Sequence, residues 1–463
     1  MTEHTTGQGT GQHPHRWKIL GFLGIAQLML ILDVTVVAIA LPHMGADLAL
    51  SRDTLTWVVS GYTLAFGGLL LLGGRAADLF GARRLTQYGL VVFAVASLVT
   101  GLADNDAMLL GGRVAQGIAA AVLSPAALSL VVHLFEGDER NRALGIWSAL
   151  GGSGAAVGVL LGGLLTAGPG WQWAFFINLP VGLVLAVVLR LQLPSEPAPS
   201  ARGRLDVIGA ALVTAATGVL IYALIRAGDD GWLTTTTFGL VLASVVLYAL
   251  FVVRQRTAAN TLMDVRLLAR RPVAIGTLLI LVATALMIAV FFLGTFYFQE
   301  YLEYGALRTG LLFLPVAIAT VIGAQITGRV IGSTGPRTPG VVALLISAAG
   351  MAVPATADGV VAMVVGVSVA AAGTGAVFVV ASATALGQVE PQDAGLVSGI
   401  VSTSHEFGAS LGAAVASSVA AVSLAGTSTT GFARGFTTAA IVAAVAALLT
   451  LILTPSPKHQ PVI

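Results

Sequence analysis

The chain contains no cysteine among its 463 residues, and only 10% of those residues are charged. Without thiols there can be no disulfide, no thiolate metal site and no cysteine nucleophile. A soluble domain carries about 25% charged residues, so this chain has too few to cover a surface that faces water. Because 56% of the residues are hydrophobic, we expect lipid to be the solvent for most of the chain.

Sequence signatures of catalysis and of ATP use are missing as well. No Walker A sequence is present, which excludes ATP as the fuel, and no nucleophile–base cluster appears. The histidines of the N-terminal segment, His4, His13 and His15, are too scattered to predict a metal site. A net charge of only +2 gives no reason to expect nucleic acid as a partner. These absences predict a protein that is not an enzyme and needs no cofactor or metal.

Hydrophobic runs long enough to cross a bilayer recur along the whole chain. A helix needs about 20 apolar residues to cross the hydrocarbon core. Fourteen runs of this kind are predicted, and an even number puts both termini on one side of the membrane. They lie at 17–42, 55–73, 85–103, 107–134, 144–166, 174–193, 207–226, 234–253, 273–298, 308–328, 339–356, 359–386, 395–424 and 435–454.

Basic residues predict which side of the membrane each loop faces, because they concentrate in cytoplasmic loops. If the N-terminus is cytoplasmic, most of the 23 Lys and Arg residues fall in cytoplasmic segments. Only Arg52, Arg226, Arg308 and Arg434 fall on the outer side. We therefore expect both termini in the cytoplasm, in a multi-pass protein of a bacterial cytoplasmic membrane.

The two ends of the chain are polar. Residues 1–16 are rich in Gly, Thr and His and are predicted to be a disordered cytoplasmic tail, and 455–463 a second tail. The first apolar run spans about 25 residues, rather than the ~7–15 of a signal peptide. We therefore expect no cleaved leader before the first helix.

One loop pattern occurs twice. The loop after the second predicted helix reads GRAADLFGARR at 74–84, and the loop after the tenth reads GRVIGSTGPR at 328–337. Both fit G-R-x-x-x-x-x-G-x-R without a gap. Two matches at equivalent places of the two halves indicate an internal repeat, and many secondary transporters are built from such repeats, with substrate bound between the halves.

With this repeat the chain resembles the major facilitator superfamily, whose motif A reads G-x-L-A-D-R-x-G-R-R. The first copy carries the candidate gating residues Gly74, Asp78, Gly81, Arg83 and Arg84. The resemblance implies that this loop latches the outward-facing state through a contact of Asp78 across the domain interface. The alternative is an ordinary positively charged cytoplasmic loop.

Three further segments resemble the fourteen-helix drug:proton antiporters of that superfamily. They are LDVTVVAIALP at 32–42, RVAQG at 113–117, which resembles motif B, and WQWAFFINLP at 171–180. The resemblance implies an all-α integral membrane fold with two six-helix bundles, at 17–193 and 255–454, and two inserted helices within 194–254. It also implies a small-molecule substrate, protons as coupling ions, a lipid bilayer as surroundings and a monomeric state.

The fifth predicted helix departs from the subfamily. Motif C, the mark of antiporters, carries a proline where this chain has Val159. Glycines at 151, 154, 158 and 162 still form a stripe of small residues that permits close helix packing. The sequence thus predicts proton-coupled efflux of small amphipathic or cationic molecules, such as antibiotics or biocides, and leaves proton-coupled import of a nutrient as the alternative.

Three ionisable residues lie well inside predicted spans: Asp33, Arg113 and Glu406. Such residues are costly in a bilayer and are therefore candidates for function. Asp33 and Arg113 lie at similar distances from the outer ends of their helices, about 13 and about 10 Å at 1.5 Å per residue. This depth allows an ion pair that breaks when Asp33 takes up a proton, and a static structural pair is the alternative.

Glu406 lies near the middle of the thirteenth predicted helix, beside His405. We predict it as a second protonation site or as the counter-ion of a cationic substrate, while His405 could simply form a hydrogen bond to a neighbouring helix. Aromatic and polar residues of other helices are candidates for the substrate cavity, although aromatics at span ends are often interfacial anchors. With His405, the cavity candidates are Trp57, Tyr62, Gln116, Phe291 and Phe292.

Overall fold

The computed structural model describes residues 15–193, 204–357, 359–390, 393–424 and 428–454, and these contain helices and no strands. Three single helical turns occur at Trp173–Phe176, Arg266–Ala269 and Ala421–Leu424, and a π-helix at Tyr297–Tyr301. The long helices are α1 (Arg16–Leu48), α2 (Arg52–Phe80), α3 (Ala82–Gly101), α4 (Asp106–Leu134), α5 (Gly137–Ala167), α6 (Asn178–Gln192), α7 (Val207–Asp230), α8 (Thr235–Thr257), α9 (Arg271–Phe296), α10 (Ala306–Thr334), α11 (Arg337–Thr356), α12 (Val360–Leu386), α13 (Ala394–Val419) and α14 (Thr430–Leu453).

Twelve helices of the described segments are long and apolar enough to cross a membrane. The two other long helices are α5 and α13. The apolar part of α5, Val157–Ala167, is shorter than a membrane span. The middle of α13 carries many Ser, Thr and Gly residues together with His405 and Glu406. The multi-pass helical fold is therefore confirmed, and the count of fourteen spans stays a prediction. The N-terminal tail was predicted at 1–16, but α1 already begins at Arg16, so this boundary was wrong. Residues 1–14 of that tail, the predicted tail at 455–463 and 194–203 of the predicted insertion lie outside the described residues.

The two halves of the chain pack their helices in the same pairs. In the N-terminal half α2 packs on α4, α3 on α4, α1 on α5 and α3 on α6. In the C-terminal half the equivalent pairs recur as α10 on α12, α11 on α12, α9 on α13 and α11 on α14. The internal repeat seen in the loops therefore extends to the packing of two six-helix bundles.

The repeated loop makes the same turn in both bundles. Gly81 follows α2 with φ 95°, and Gly335 follows α10 with φ 70°. Both values lie where a side chain would strain the backbone, so glycine is needed to end one helix and begin the next within two residues.

Glycines bring helix backbones into contact inside each bundle. A Cβ atom on Gly73 of α2 would lie 2.0 Å from the carbonyl oxygen of Ala121 in α4, and one on Gly323 of α10 would lie 1.9 Å from that of Ala372 in α12. Backbone atoms cannot yield as a flexible side chain can. Close packing of small residues therefore holds both equivalent helix pairs together.

We expect Gly323→Val to destabilise the protein by about 3 kcal/mol, since overpacking a rigid contact costs about 1–3 kcal/mol. Thermal unfolding of the purified protein measures this change. Gly332→Val is the matched control, because a Cβ at this exposed position meets nothing within 4 Å. Equal melting temperatures for the two variants would contradict the packing argument.

The inserted helices lie against one seam between the bundles. Ile221 and Ile225 of α7 pack on Ala414 of α13, while a Cβ on Gly218 of α7 would touch Leu64 of α2. Helix α8 packs on α7, where the hydroxyls of Thr217 and Tyr248 lie 2.7 Å apart. Helix α7 thus bridges α2 and α13, one helix from each bundle.

Hydrogen bonds join the two bundles toward one end, which we name the outer end because it carries Arg52, which the sequence predicts on the outer side. The Thr56 hydroxyl of α2 donates to Ser417 Oγ of α13 at 2.7 Å. His43 Nδ1 of α1 and Gln299 Oε1 of the π-helix are 3.0 Å apart. The bundles are therefore closed against each other at the outer end.

Arg52 adds charged contacts between the helices at the outer end. Its guanidinium donates to the Ser417 carbonyl at 3.3 Å and forms a 2.7 Å ion pair with Asp229 of α7. One side chain therefore ties together α2, α13 and the inserted helix α7.

Candidate functional site: a buried ion pair beside a central cavity

Asp33 of α1 and Arg113 of α4 form an ion pair in the interior of the N-terminal bundle. Arg113 Nη1 donates to Asp33 Oδ2, and the two side chains are 0–1% exposed. Arg113 Nε also donates to the Val58 carbonyl at 2.9 Å. The contact predicted from matching depths is confirmed, while a role in proton transfer stays a prediction.

Neutral polar groups complete the surroundings of the Asp33 carboxylate. Gln116 Nε2 donates to Asp33 Oδ1 at 2.9 Å and to Ser97 Oγ at 2.8 Å. Asn178 Nδ2 lies 3.5 Å from the same carboxylate oxygen. A buried ion pair is stable only when its remaining hydrogen-bonding capacity is satisfied in this way.

Aromatic rings cover the guanidinium. The Arg113 Cζ atom lies 4.4 Å from the centre of the Tyr62 ring and 5.8 Å from that of Phe175, which are distances of cation–π contact. The Tyr62 ring in turn packs edge-on against Phe66, with ring centres 5.9 Å apart. Phe66 lines the central cavity, so two aromatic rings connect the ion pair to the cavity wall.

A cavity of about 340 Å³ lies where the two bundles meet. Its wall is formed by α1, α2 and α4 of one bundle and α9 and α13 of the other. Most of the wall is apolar. The residues that line it are Gln27, Leu30, Ile31, Val34, Thr35, Phe66, Leu70, Ser124, Ile280, Thr284, Met287, Ile288, Phe291, Val401, Ser402, His405, Glu406 and Ala409.

Asp33 does not line this cavity, and helix geometry explains why. The α1 residues of the wall recur at Gln27, Ile31 and Val34, a spacing that follows one face of a helix at about 100° per residue. Asp33 lies well over 90° from the centre of that face. The ion pair therefore faces the interior of its own bundle, and the cavity faces the partner bundle.

Glu406 gives the cavity its charge. Its carboxylate Oε1 lies 3.1 Å from His405 Nδ1, and its side chain is 11% exposed. Beneath it, a Cβ on Gly67 of α2 would lie 2.7 Å from Glu406 Cβ, so the two helices touch at this level. Among the described residues of the wall, Glu406 is the one acid, and no Lys or Arg stands with it.

The sequence model of the family described as the Major Facilitator Superfamily matches residues 23–413. The chain belongs to the major facilitator superfamily. It is 37% identical to the puromycin resistance protein pur8 of Streptomyces alboniger over 87% of this chain and 81% of that protein. It is 36% identical to the cephamycin export protein CmcT of Amycolatopsis lactamdurans over 83% of this chain and 81% of that one.

A solved structure shows the same fold at lower identity. A bacterial homologue of the human lysosomal transporter Spinster, in an inward-facing and occupied conformation, superposes with a TM-score of 0.68 at 15% identity. The match covers 96% of this chain and 97% of that one. The whole described chain is thus a facilitator fold.

Motif A of this facilitator makes contacts inside its own bundle. Asp78 lies 3.9 Å from Arg75 on the same helix, and Arg83 donates to the Arg190 carbonyl of α6 at 2.7 Å. Gly74 packs near Pro125 of α4, and Arg84 is exposed. Among the described residues, Asp78 forms its ion pair with Arg75 of the same helix and not across the domain interface. The expected latch is therefore not formed in this conformation.

The small residues of motif C bring α5 against both bundles. A Cβ on Gly158 would lie 1.8 Å from Thr35 Oγ1 of α1, and one on Gly310 of α10 would lie 2.8 Å from the Val159 carbonyl oxygen. The helix continues through Val159 to Ala167. The glycines thus provide the close approach of α5 to α1 and α10 without the proline of motif C.

The predicted cavity residues divide into two groups. Phe291 and His405 line the cavity. The other four stand outside the wall in the described part of the chain. Tyr62 and Gln116 pack around the Asp33–Arg113 pair. Trp57 packs against the cluster of Ile221, Ile225 and Ala414, and the Phe292 ring lies tilted against that of Phe296, with ring centres 5.0 Å apart. The residue types of these four suit a substrate cavity, but each side chain projects from a face of its helix that does not line the central cavity.

Sequence reasoning did not identify Gln27, Ser124, Ser97 or Asn178. Gln27 lies on the same helix as Asp33 but on a different face of it, and Asn178 lies within the WQWAFFINLP segment. The sequence signal that could have identified these four residues is that their amide and hydroxyl side chains lie within apolar runs. The hydroxyls alone are too common here to single out a site.

Proposed function

We propose that this facilitator exports small amphipathic cations by alternating access, in exchange for protons. The central cavity carries the proposal: an apolar wall between two bundles, closed at the outer end, with Glu406 as its acid. Relatives whose names record puromycin resistance and cephamycin export support the direction. We further propose that the protein works as a monomer in the bacterial cytoplasmic membrane, with both termini in the cytoplasm and no catalytic step.

Asp33 is the proposed site of proton coupling. When its carboxylate is charged, it holds Arg113 and draws α1 and α4 together. A proton on Asp33 removes the charge and loosens the contact of Arg113 with Tyr62. Arg113 is then left with its hydrogen bonds to the Val58 carbonyl and to Gln116 Oε1, the latter at 3.0 Å. Because the Tyr62 ring packs on Phe66, a shift there reaches the cavity wall. The proton and the substrate therefore act on the same two aromatic rings from opposite sides.

Motif A completes the proposed cycle. In the conformation closed at the outer end, Asp78 is exposed and pairs with Arg75. When the bundles rock to open the outer end, their cytoplasmic ends approach, and Asp78 becomes available to the partner bundle. The proposed latch therefore forms only in the outward-facing state.

Proteoliposomes test the direction of transport. Tetraphenylphosphonium is a suitable probe, because its permanent charge prevents trapping by pH alone. With the membrane potential clamped at zero, an acidic lumen drives a proton antiporter to accumulate the probe inside. A proton symporter accumulates it only when the outside is acidic. Accumulation with an acidic lumen, absent from protein-free liposomes, is the expected result, and accumulation only with an acidic exterior would replace export by import.

Glu406→Gln should weaken binding of tetraphenylphosphonium by about tenfold or more, since a carboxylate a few ångströms from a cation in a partly buried site contributes about 2 kcal/mol or more. Equilibrium binding to the purified protein measures the Kd. Glu303→Gln is the control, because Glu303 is an exposed acid outside the cavity. A Kd that Glu406→Gln leaves within twofold of wild type would remove the counter-ion role.

A further inference from the structure

Gln27 and Ser124 form a polar pair on the cavity wall opposite Glu406. Gln27 belongs to α1 and Ser124 to α4, both in the N-terminal bundle, whereas His405 and Glu406 belong to α13 of the C-terminal bundle. The Ser124 hydroxyl donates to Gln27 Oε1 at 3.0 Å. The proposed function uses neither residue.

The hydrogen bond fixes which end of the Gln27 amide is free. Because Oε1 accepts from Ser124, the Nε2 group is left with two N–H donors. Among the described residues Nε2 forms no hydrogen bond, and the side chain is partly exposed. An oriented donor that faces an apolar cavity favours an acceptor from a bound molecule, since a donor left unsatisfied in the bound state is costly.

Two threonine hydroxyls of the wall are already partnered within their own helices. Thr35 Oγ1 lies 3.2 Å from the Leu32 carbonyl oxygen, and Thr284 Oγ1 donates to the Ile280 carbonyl at 2.9 Å. With Ser124 bonded to Gln27, the N-terminal bundle therefore offers the Gln27 amide as its free donor, while the C-terminal bundle offers Ser402, His405 and the carboxylate of Glu406.

We propose that the Gln27–Ser124 pair is a second anchor of the cavity, which selects cations that also carry a carbonyl or ether oxygen. This inference rests on the proposed function and narrows its substrate class. The cationic group lies toward Glu406 and the oxygen accepts from Gln27 Nε2. Since the two anchors belong to different bundles, such a substrate ties the bundles together while it is bound. A cation without an acceptor engages only one of them.

Binding of two probes to the purified full-length protein tests the second anchor. Puromycin has an amine, an amide carbonyl and ether oxygens, and tetraphenylphosphonium has a positive charge and no acceptor. In Gln27→Leu, the ratio of the puromycin Kd to the tetraphenylphosphonium Kd should rise about tenfold, because a site built to bind a polar group discriminates strongly by that contact. Ser124→Ala should raise the ratio about threefold, since the amide stays but is no longer held in orientation.

Two further variants make the outcome decisive. Ser129 lies on the same helix as Ser124, but its hydroxyl lies beside His133 instead of Gln27. Ser129→Ala should therefore leave the ratio at the wild-type value. If Gln27→Leu does not fold, Gln27→Met retains the length of the side chain without the donor. A ratio within twofold of wild type in the Gln27 and Ser124 variants, or an equal rise of both Kd values, would overturn the second anchor. A wild-type protein that binds neither probe would instead overturn the proposed function itself.

Discussion

Replacing Asp33 by asparagine should reduce accumulation driven by a pH gradient to the level of protein-free liposomes. Asparagine keeps the size and a hydrogen-bonding oxygen of the side chain but can neither bind nor release a proton near neutral pH. Tetraphenylphosphonium uptake into liposomes with an acidic lumen measures the effect. Exchange of labelled for unlabelled probe at equal pH should persist in Asp33→Asn, since exchange needs the moving bundles and not the proton.

The same substitution removes the counter-ion of Arg113, which is 1% exposed. Breaking a buried ion pair from one side costs about 3–5 kcal/mol, so loss of transport could follow from loss of the fold. Asp33→Asn combined with Arg113→Gln separates the two causes. The double variant should melt closer to wild type than the single variant and should still fail to use the pH gradient.

Asp104→Asn is the matched control, because Asp104 is an exposed acid in the loop before α4. Its pH-driven accumulation should equal that of wild type. Accumulation by Asp33→Asn at the wild-type level would leave the ion pair as a static structural contact. In that case Glu406, the acid of the cavity wall, would be the remaining described candidate for proton coupling inside the bundles.

Sequence predicted those features that depend on composition and on position along the helix axis. The scarcity of charge predicted a lipid-embedded chain, and the repeated G-R-x-x-x-x-x-G-x-R loop predicted two equivalent halves. Asp33 and Arg113 were placed at similar depth by counting residues, because the rise per residue is fixed. Depth along the axis can therefore be read from one sequence when loops mark the ends of the helices.

Direction around the helix axis was harder to predict. Trp57 and Phe292 were expected in the cavity and face other helices, whereas Gln27 was not expected there and lines it. In a soluble helix the apolar stripe marks the buried face. In a membrane both the lipid-facing and the buried faces are apolar, so composition does not show which side of α1 or α9 faces the centre.

The place of the inserted helices could not be predicted either. Hydropathy indicated two extra spans between the bundles along the chain, without indicating the seam that they cover. The contacts of α7 with α2 and α13 depend on small residues, such as Gly68, where a Cβ would lie 2.2 Å from Thr214 Oγ1. With 56 glycines in the chain, no single glycine identifies such a contact in advance.

The natural absence of cysteine permits a direct test of the outer closure. Thr56→Cys combined with Ser417→Cys should form a disulfide on mild oxidation, since the two hydroxyl oxygens already lie 2.7 Å apart and a disulfide needs only a small further approach of the side chains. Because α2 and α13 belong to different bundles, the bond would hold the outer end closed. Transport in proteoliposomes should fall to background and return when a reductant is added.

Substrate binding should respond differently from transport in the oxidised double variant. The cavity is already formed in the conformation closed at the outer end, so the tetraphenylphosphonium Kd of the cross-linked protein should stay within about threefold of that of the reduced protein. Each single cysteine variant, treated with the same oxidant, controls for direct damage and should transport normally. Full cross-linking with undiminished transport would show that α2 and α13 need not separate at this level. Alternating access would then have to open along the other seam, where α5 meets α10.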